Sequence, residues 1–155
     1  MLVIVGILSA FAGVRILDQR FAGTRAFYDG VVALVQYGRK TAIAQRRPVF
    51  VQVSPGAVVL CYSTVTPCNA PVAGPPGAVA GANPLSVSFT QSPFTVSAPA
   101  GVAFTPALTF QFQFDALGSY LTDAGALPGA NLTLTVQGDS SYSLTVERIT
   151  GYVHP

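Results

Sequence analysis

The sequence predicts an α+β fold, one long N-terminal helix followed by an antiparallel β domain. Three observations carry this. Helical spacing of apolar residues runs from the start of the chain to Pro48, where it stops. After Pro48, short β-branched and aromatic runs alternate with Pro- and Gly-rich turns. The charge falls into three zones along the chain. Residues 1–14 carry none, residues 15–47 hold seven Arg and Lys against two Asp, and residues 48–155 hold one Arg against four acids. A helix followed by many strands is an α+β arrangement.

Composition narrows the function. Half of the 155 residues are apolar and only 9% are charged, against ~25% in an ordinary soluble domain. The length suits about one domain with a real core. His154 and Glu147 are the single histidine and glutamate. That count rules out a His-cluster metal site and argues against His-based acid–base catalysis. No Gly-x-Ser-x-Gly, His-Glu-x-x-His or phosphate loop occurs. Gly38-Arg-Lys-Thr41 matches only the end of a phosphate loop, and Lys40 follows Arg39 in mid-helix. An enzyme is not expected, nor a cofactor or small-molecule substrate.

The uncharged segment 1–14 would reach roughly 21 Å as a helix, short of the ~30 Å hydrocarbon core. It could be a signal peptide cleaved near Ala10-Phe11-Ala12, but no basic region precedes Leu2. It could be a buried core segment. We read it as most of a spanning helix whose first residues lie outside this chain. Gly6 with Ala10, and Ser9 with Gly13, are each four apart and let another helix approach closely.

The helix continues through the basic zone. Leu17, Phe21, Tyr28, Val32, Val35 and Ala42 form one stripe, expected to pack on a sheet. Gly23, Gly30 and Gly38 suggest bends or a close-packed surface. Arg46 and Arg47 are placed in the last turn, where the helix dipole favours cations, and Pro48 ends the pattern. A helix from 1 to 47 would be about 70 Å long, so its first half must project from the domain.

The remainder reads as strands. Val49–Ser54 and Ala57–Ser63 form a hairpin across Ser54-Pro55-Gly56. Residues 64–84 read as a long surface loop, rich in Pro, Ala and Gly. Leu85–Thr90, Phe94–Ser97, Val102–Phe104 and Ala107–Phe114 follow as strands, the last with Leu108, Phe110, Phe112 and Phe114 on one face. Leu132, Leu134 and Val136 alternate with polar residues, and Tyr142–Ile149 returns after Gly138-Asp139-Ser140-Ser141. Cys61 and Cys68 do not form a metal-ligand pattern. In an oxidising compartment they would bridge and tie the loop to the sheet; the alternative is two separate thiols, one buried.

On these residues the chain resembles the type IV pilin and pseudopilin superfamily. Val3-Ile-Val-Gly-Ile-Leu-Ser-Ala-Phe-Ala12 is similar to the apolar half of that superfamily's class III signal helix. Arg15, then Phe21 to Arg47, resembles its amphipathic half. Ala33 to Arg46, running into Val49–Val53, resembles the helix end of the GspH/FimT group of minor pilins, as do Phe114-Asp-Ala-Leu-Gly118 and Thr145 to Val153 with its Thr-Gly ending. Minor pilins of mannose-sensitive haemagglutinin pili are the sub-family it resembles most. Two departures stand out. The peptidase motif Gly-Phe-Thr-Leu-x-Glu does not precede Met1, so a truncated N-terminus is expected, and Val14 replaces the usual proline.

The resemblance implies a mechanical role. Residues 1–20 would sit in the bacterial inner membrane and then in the filament core, and residues 21–155 would form a periplasmic, later extracellular, domain. Leu2, Val3, Ile4, Val5, Gly6, Ile7, Leu8, Ala10, Phe11 and Gly13 would pack on the helices of other major and minor pilins or pseudopilins. The absent glutamate would otherwise pair with a neighbour's N-terminal amine. The subunit would lie at or near the tip of a type IV pilus or type II secretion pseudopilus and help start assembly.

Two other functions compete. Arg39, Lys40, Arg46 and Arg47 could contact nucleic acid, since some FimT-group members take up DNA. The Gly-Arg-x-Arg motif that this requires is missing, so nucleic acid is disfavoured. An anchored or secreted adhesin would use exposed aromatics such as Tyr62, Tyr120, Tyr142 and Tyr152, though ordinary strand packing explains them better. Asp115 and Asp123 could share calcium, but turn roles fit them better. Asn131-Leu-Thr133 matches a glycosylation sequon, a pattern common by chance.

Overall fold

The computed structural model describes residues 2–75, 88–92 and 94–155, with side chains from Gly23 onward apart from those of residues 88, 89 and 91. Helix α1 spans Leu2–Gln45. Ten strands follow: β1 Val49–Ser54, β2 Ala57–Cys61, β3 Ser88–Gln91, β4 Phe94–Ser97, β5 Ala103–Thr105, β6 Phe110–Phe114, β7 Tyr120–Thr122, β8 Leu132–Gln137, β9 Ser141–Val146 and β10 Val153–His154. They form an antiparallel six-stranded sheet, β3-β4-β2-β1-β6-β7, and an antiparallel four-stranded sheet, β10-β9-β8-β5. The second half of α1 packs on both.

The helix stops two residues before the expected Arg47. Arg46 takes a left-handed backbone, φ 50°, its N–H bonds the Ile43 carbonyl, and the Arg47 N–H bonds that of Ala42. This is a Schellman ending. Arg46 and Arg47 therefore lie beyond the last turn rather than inside it, because Pro48 forces the chain out of helical geometry.

The buried helix face is wider than the single stripe expected. Tyr28, Val35 and Ala42 are buried as expected, but Phe27, Val31 and Leu34, outside the stripe, are fully buried too. Val32 is only partly buried, at the margin. Two sheets grip the helix from different sides, and one four-seven stripe cannot serve both. Phe27 packs against Phe104 of β5 with the rings tilted, centres 5.4 Å apart, while Tyr37 meets Phe94 of β4 edge-on at 5.3 Å. Leu17 and Phe21 belong to the helix, but their side chains lie outside those described.

In the larger sheet, Val51 pairs with Leu60 and with Phe112, and these face the helix. A Cβ on Gly38 would sit 2.9 Å from Leu60 Cδ2 and 3.7 Å from Val49 Cγ1. The glycine thus lets α1 lie directly on the hairpin. By alternation Phe50, Gln52, Val59, Gln111 and Gln113 face away. Phe50, Gln52 and Gln113 are nonetheless buried, since loops cover that side.

Several expected boundaries move. Strand β6 starts at Phe110, three residues late, and Leu108 stands 56% exposed. The segment Thr105-Pro106 turns there, and a proline cannot donate to the ladder. Strand β9 ends at Val146, and Ile149 is exposed in the turn before β10. Hairpin strand β2 ends at Cys61, two residues before the expected Ser63. Strand β5 is shifted one residue from Val102–Phe104. Strand β7 had no expectation in the sequence. The surface loop is not wholly surface: the Val72 N–H bonds the Leu60 carbonyl, Pro71 bridges to Cys61, and Val72 is buried. Of that loop, residues 76–84 lie outside those described, as do residues 85–87 of the expected Leu85–Thr90 strand.

Candidate functional site

Two tight turns meet near the C-terminal end of α1, and a disulfide loop ties the end of β2 back onto the larger sheet. The first turn follows β6. The Asp115 carboxylate accepts the N–H groups of Leu117 (2.9 Å) and Ser119 (2.8 Å). This is an Asx turn, the role that disfavoured calcium. Gly118 closes it at φ 82°, and its carbonyl accepts a bond from Arg39 Nε at 3.0 Å.

The second turn follows β9. The Gly151 N–H bonds the Glu147 carbonyl, and Thr150 Oγ1 donates to the Glu147 carboxylate at 3.1 Å. Gly151 has φ 62°, and a Cβ there would fall against the Gly118 carbonyl oxygen and lie 3.2 Å from Phe114 Cε1. The Phe-x-x-x-Gly turn and the Thr-Gly ending, 33 residues apart in the sequence, therefore lock together across the two sheets. Arg39 pins the pair to the helix. Gly118 needs space as well, since a Cβ there would meet Ile43 Cδ1 at 2.6 Å.

The third element is the loop after β2. Cys61 and Cys68 are bonded, with Cα atoms 5.8 Å apart. Gln52 Nε2 donates to the Val65 carbonyl at 2.9 Å, and Tyr62 N–H to the Ala70 carbonyl at 2.7 Å. The bridge encloses few residues, so its loss should cost ~2–3 kcal/mol in the chain-entropy model. We expect Cys61→Ala/Cys68→Ala, or reduction, to lower the melting temperature by roughly 5–10 °C. A melt compared with and without reductant checks this.

The four basic residues of the sequence reading do not act as one group. Arg39 is engaged with Gly118. Lys40 is exposed, near Tyr152 at a small crevice that Gln36 and Arg39 also line. Arg47 lies over the Tyr62 ring at 3.6 Å, and Tyr62 Oη donates to Gln45 Oε1 at 2.7 Å. Arg46 occupies the helix cap. Among the aromatics named as exposed, Tyr152 is exposed, Tyr62 and Tyr142 are partly buried, and Tyr120 is buried. Tyr120 sits in the core because it meets Phe112 edge-on, centres 5.4 Å apart. The sequon residue Asn131 accepts the Arg148 N–H at 3.0 Å. Among the described residues, no group of three or more His, Cys, Asp and Glu could hold a metal ion.

Burial pushes the Tyr120 phenol above its ordinary value of 10.0. Tyr28 is raised too, by burial first and by Asp29 next, with Arg25 opposing. A raised acid contributes stability that is full below the unfolded-state pKa and is lost as pH rises through the folded-state value. The domain should therefore lose stability above about pH 10. Tyr120→Phe should flatten part of that loss while leaving neutral stability nearly unchanged, as urea melts on either side of pH 10 would read.

No family model matches the chain, and no curated protein sequence matches it. Solved structures do. Two crystal forms of the type IV minor pilin FimU of Pseudomonas aeruginosa superpose with TM-scores of 0.50 and 0.53 at 15% identity. The first match covers 84% of this chain and 89% of FimU, the second 89% and 90%. At that identity the likeness is one of fold: a long N-terminal helix laid on antiparallel sheets, as in a type IV minor pilin.

Proposed function

We propose that this chain is a structural, non-catalytic subunit of a type IV pilus or related pseudopilus. The observation that carries it is the pairing of a pilin-like fold with an uncharged helical start. Helix α1 has 44 residues, roughly 66 Å at 1.5 Å per residue. A globular domain of this size is only about 30–40 Å across. Among the residues with described side chains, no helix is long and apolar enough to cross a membrane; in this reading the uncharged segment 1–14 makes the membrane contact.

In this reading the chain divides near residue 20. The apolar part waits in the bacterial inner membrane with the domain in the periplasm. On assembly it leaves lipid for a bundle of similar helices. Apolar contact replaces apolar contact, so close packing at small residues such as Gly6 and Ala10 decides the association. The two locked turns at the far end of α1, pinned by Arg39, would then make helix and domain one rigid lever. We place the subunit at or near the filament tip, with a part in starting assembly; the fold likeness to a minor pilin is consistent with that reading.

The test is fractionation of cells that make the filament. The chain should appear in the sheared surface-filament fraction, and Gly6→Leu/Ala10→Leu should hold it in the inner membrane. Recovery of the whole pool as a soluble protein that never accompanies filaments would overturn the reading.

A further inference from the structure

The face of the larger sheet turned away from α1 carries a cavity of about 690 Å³. Ligand sites for small molecules run ~300–1,000 Å³. Its floor is Gln52 and Gln111, register partners across β1 and β6. One wall is Thr66, Pro67 and Cys68 of the disulfide loop, and Asp123 after β7 lines the other side. We propose that this cavity binds a neutral saccharide.

The floor is the first reason. Loops packed on a sheet face ordinarily cover apolar side chains, yet here two amides lie side by side. Gln52 is 9% exposed, and its Nε2 is held by the Val65 carbonyl at 2.9 Å. The Gln111 Oε1 is buried and has no hydrogen-bond donor among the described residues. A buried acceptor without a donor is rare and calls for an explanation. The last side-chain torsion of glutamine is soft, so a donor entering the cavity can draw that oxygen round to it.

The rim is the second reason. Asp123 Oδ1 accepts the Ala124 N–H at 2.9 Å, which orients the carboxylate and leaves Oδ2 for a ligand. Thr66 and Thr109 line the cavity as well. Amides, a carboxylate and hydroxyls at separated points suit a ligand whose every hydroxyl both donates and accepts. A peptide would need a row of backbone groups, which a sheet presents along its edge rather than on its face. Val59 and Pro67 supply apolar surface for the C–H face of a sugar ring.

Charge excludes the acidic alternatives. Among the described residues no Lys, Arg or His lines the cavity, and the ionised group there is Asp123. Phosphorylated, sulfated and sialylated ligands would meet a carboxylate with no compensating cation.

The test is a glycan array probed with the full chain in a non-glycosidic zwitterionic detergent, since a glucoside or maltoside detergent would itself compete. Neutral oligosaccharides should be retained, and anionic ones should not. Gln111→Leu and Asp123→Asn should each weaken retention at least ~tenfold, as expected when a polar contact in a binding site is lost. Gln111→Leu removes an unpaired acceptor, so its melting temperature should equal or exceed that of the parent chain. Retention of no neutral glycan, retention of anionic glycans alone, or retention unchanged in both variants would overturn the proposal. The binding readout is separate from filament fractionation, so either result stands without the other.

Discussion

Gly151→Ala should destabilise the domain by ~2–5 kcal/mol, from a left-handed backbone cost of ~1–2 and an overpacking cost of ~1–3. The new Cβ would meet the Gly118 carbonyl oxygen and the Tyr120 backbone nitrogen, neither of which is the far end of a flexible side chain. The turn must move, and with it the Arg39 bond to Gly118. Gly101 separates the two contributions, since it has φ 83° with nothing within 4 Å of an added Cβ. Gly101→Ala should cost only the backbone part, ~1–2 kcal/mol. Urea denaturation of both variants checks the difference. Equal losses would mean that the two turns do not lock.

Phe27→Ala should cost ~3–5 kcal/mol, the range for emptying a buried aromatic site. Phe27 is fully buried and its ring packs tilted against Phe104 of the smaller sheet. The better helix propensity of alanine returns only ~0.5 kcal/mol. The loss should be local before it is global. Amide exchange should speed up in β8 and β9, which share the smaller sheet with β5, while β1 and β2 stay protected by their own packing on α1 around Gly38. A double-mutant cycle with Phe104→Ala should return a coupling of ~0.5–1.5 kcal/mol. A coupling of zero would remove Phe27 as the link between helix and sheet.

How far the sequence carried this picture follows from which signals are local. Pro48 and the Ser54-Pro55-Gly56 turn act on their neighbours, so the helix end and first hairpin were placed within a residue or two. The helix face was harder. Phe27, Val31 and Leu34 share a helical face, yet a stripe through Tyr28 and Val32 fitted equally well. Only the two-sheet grip chooses between them. Val72 and Leu108 were misplaced for a related reason. A lone valine in a Pro-rich loop gives no sign that it will dock beside Leu60, and the alternation through Leu108 ignores the turn at Thr105-Pro106.

The site was legible in parts and not as a whole. Phe114 to Gly118 and Thr150-Gly151 were both noticed, but nothing in spacing says that they touch. The basic residues looked like one patch because sequence shows charge and not its engagement. Arg39 turns to Gly118, and Arg47 turns to Tyr62. The amides of Gln52 and Gln111 drew no notice, since glutamine in a strand is unremarkable until the register pairs two of them.

In the proposed filament the apolar start of α1 packs on the helices of other subunits while the domain stays outside. A photo-crosslinking amino acid in place of Leu8, in cells assembling filaments, reads that packing. Adducts with the N-terminal helices of other pilins are expected in the sheared filament fraction. Adducts with lipid alone, or with the chain's own domain, in cells that carry filaments would contradict it.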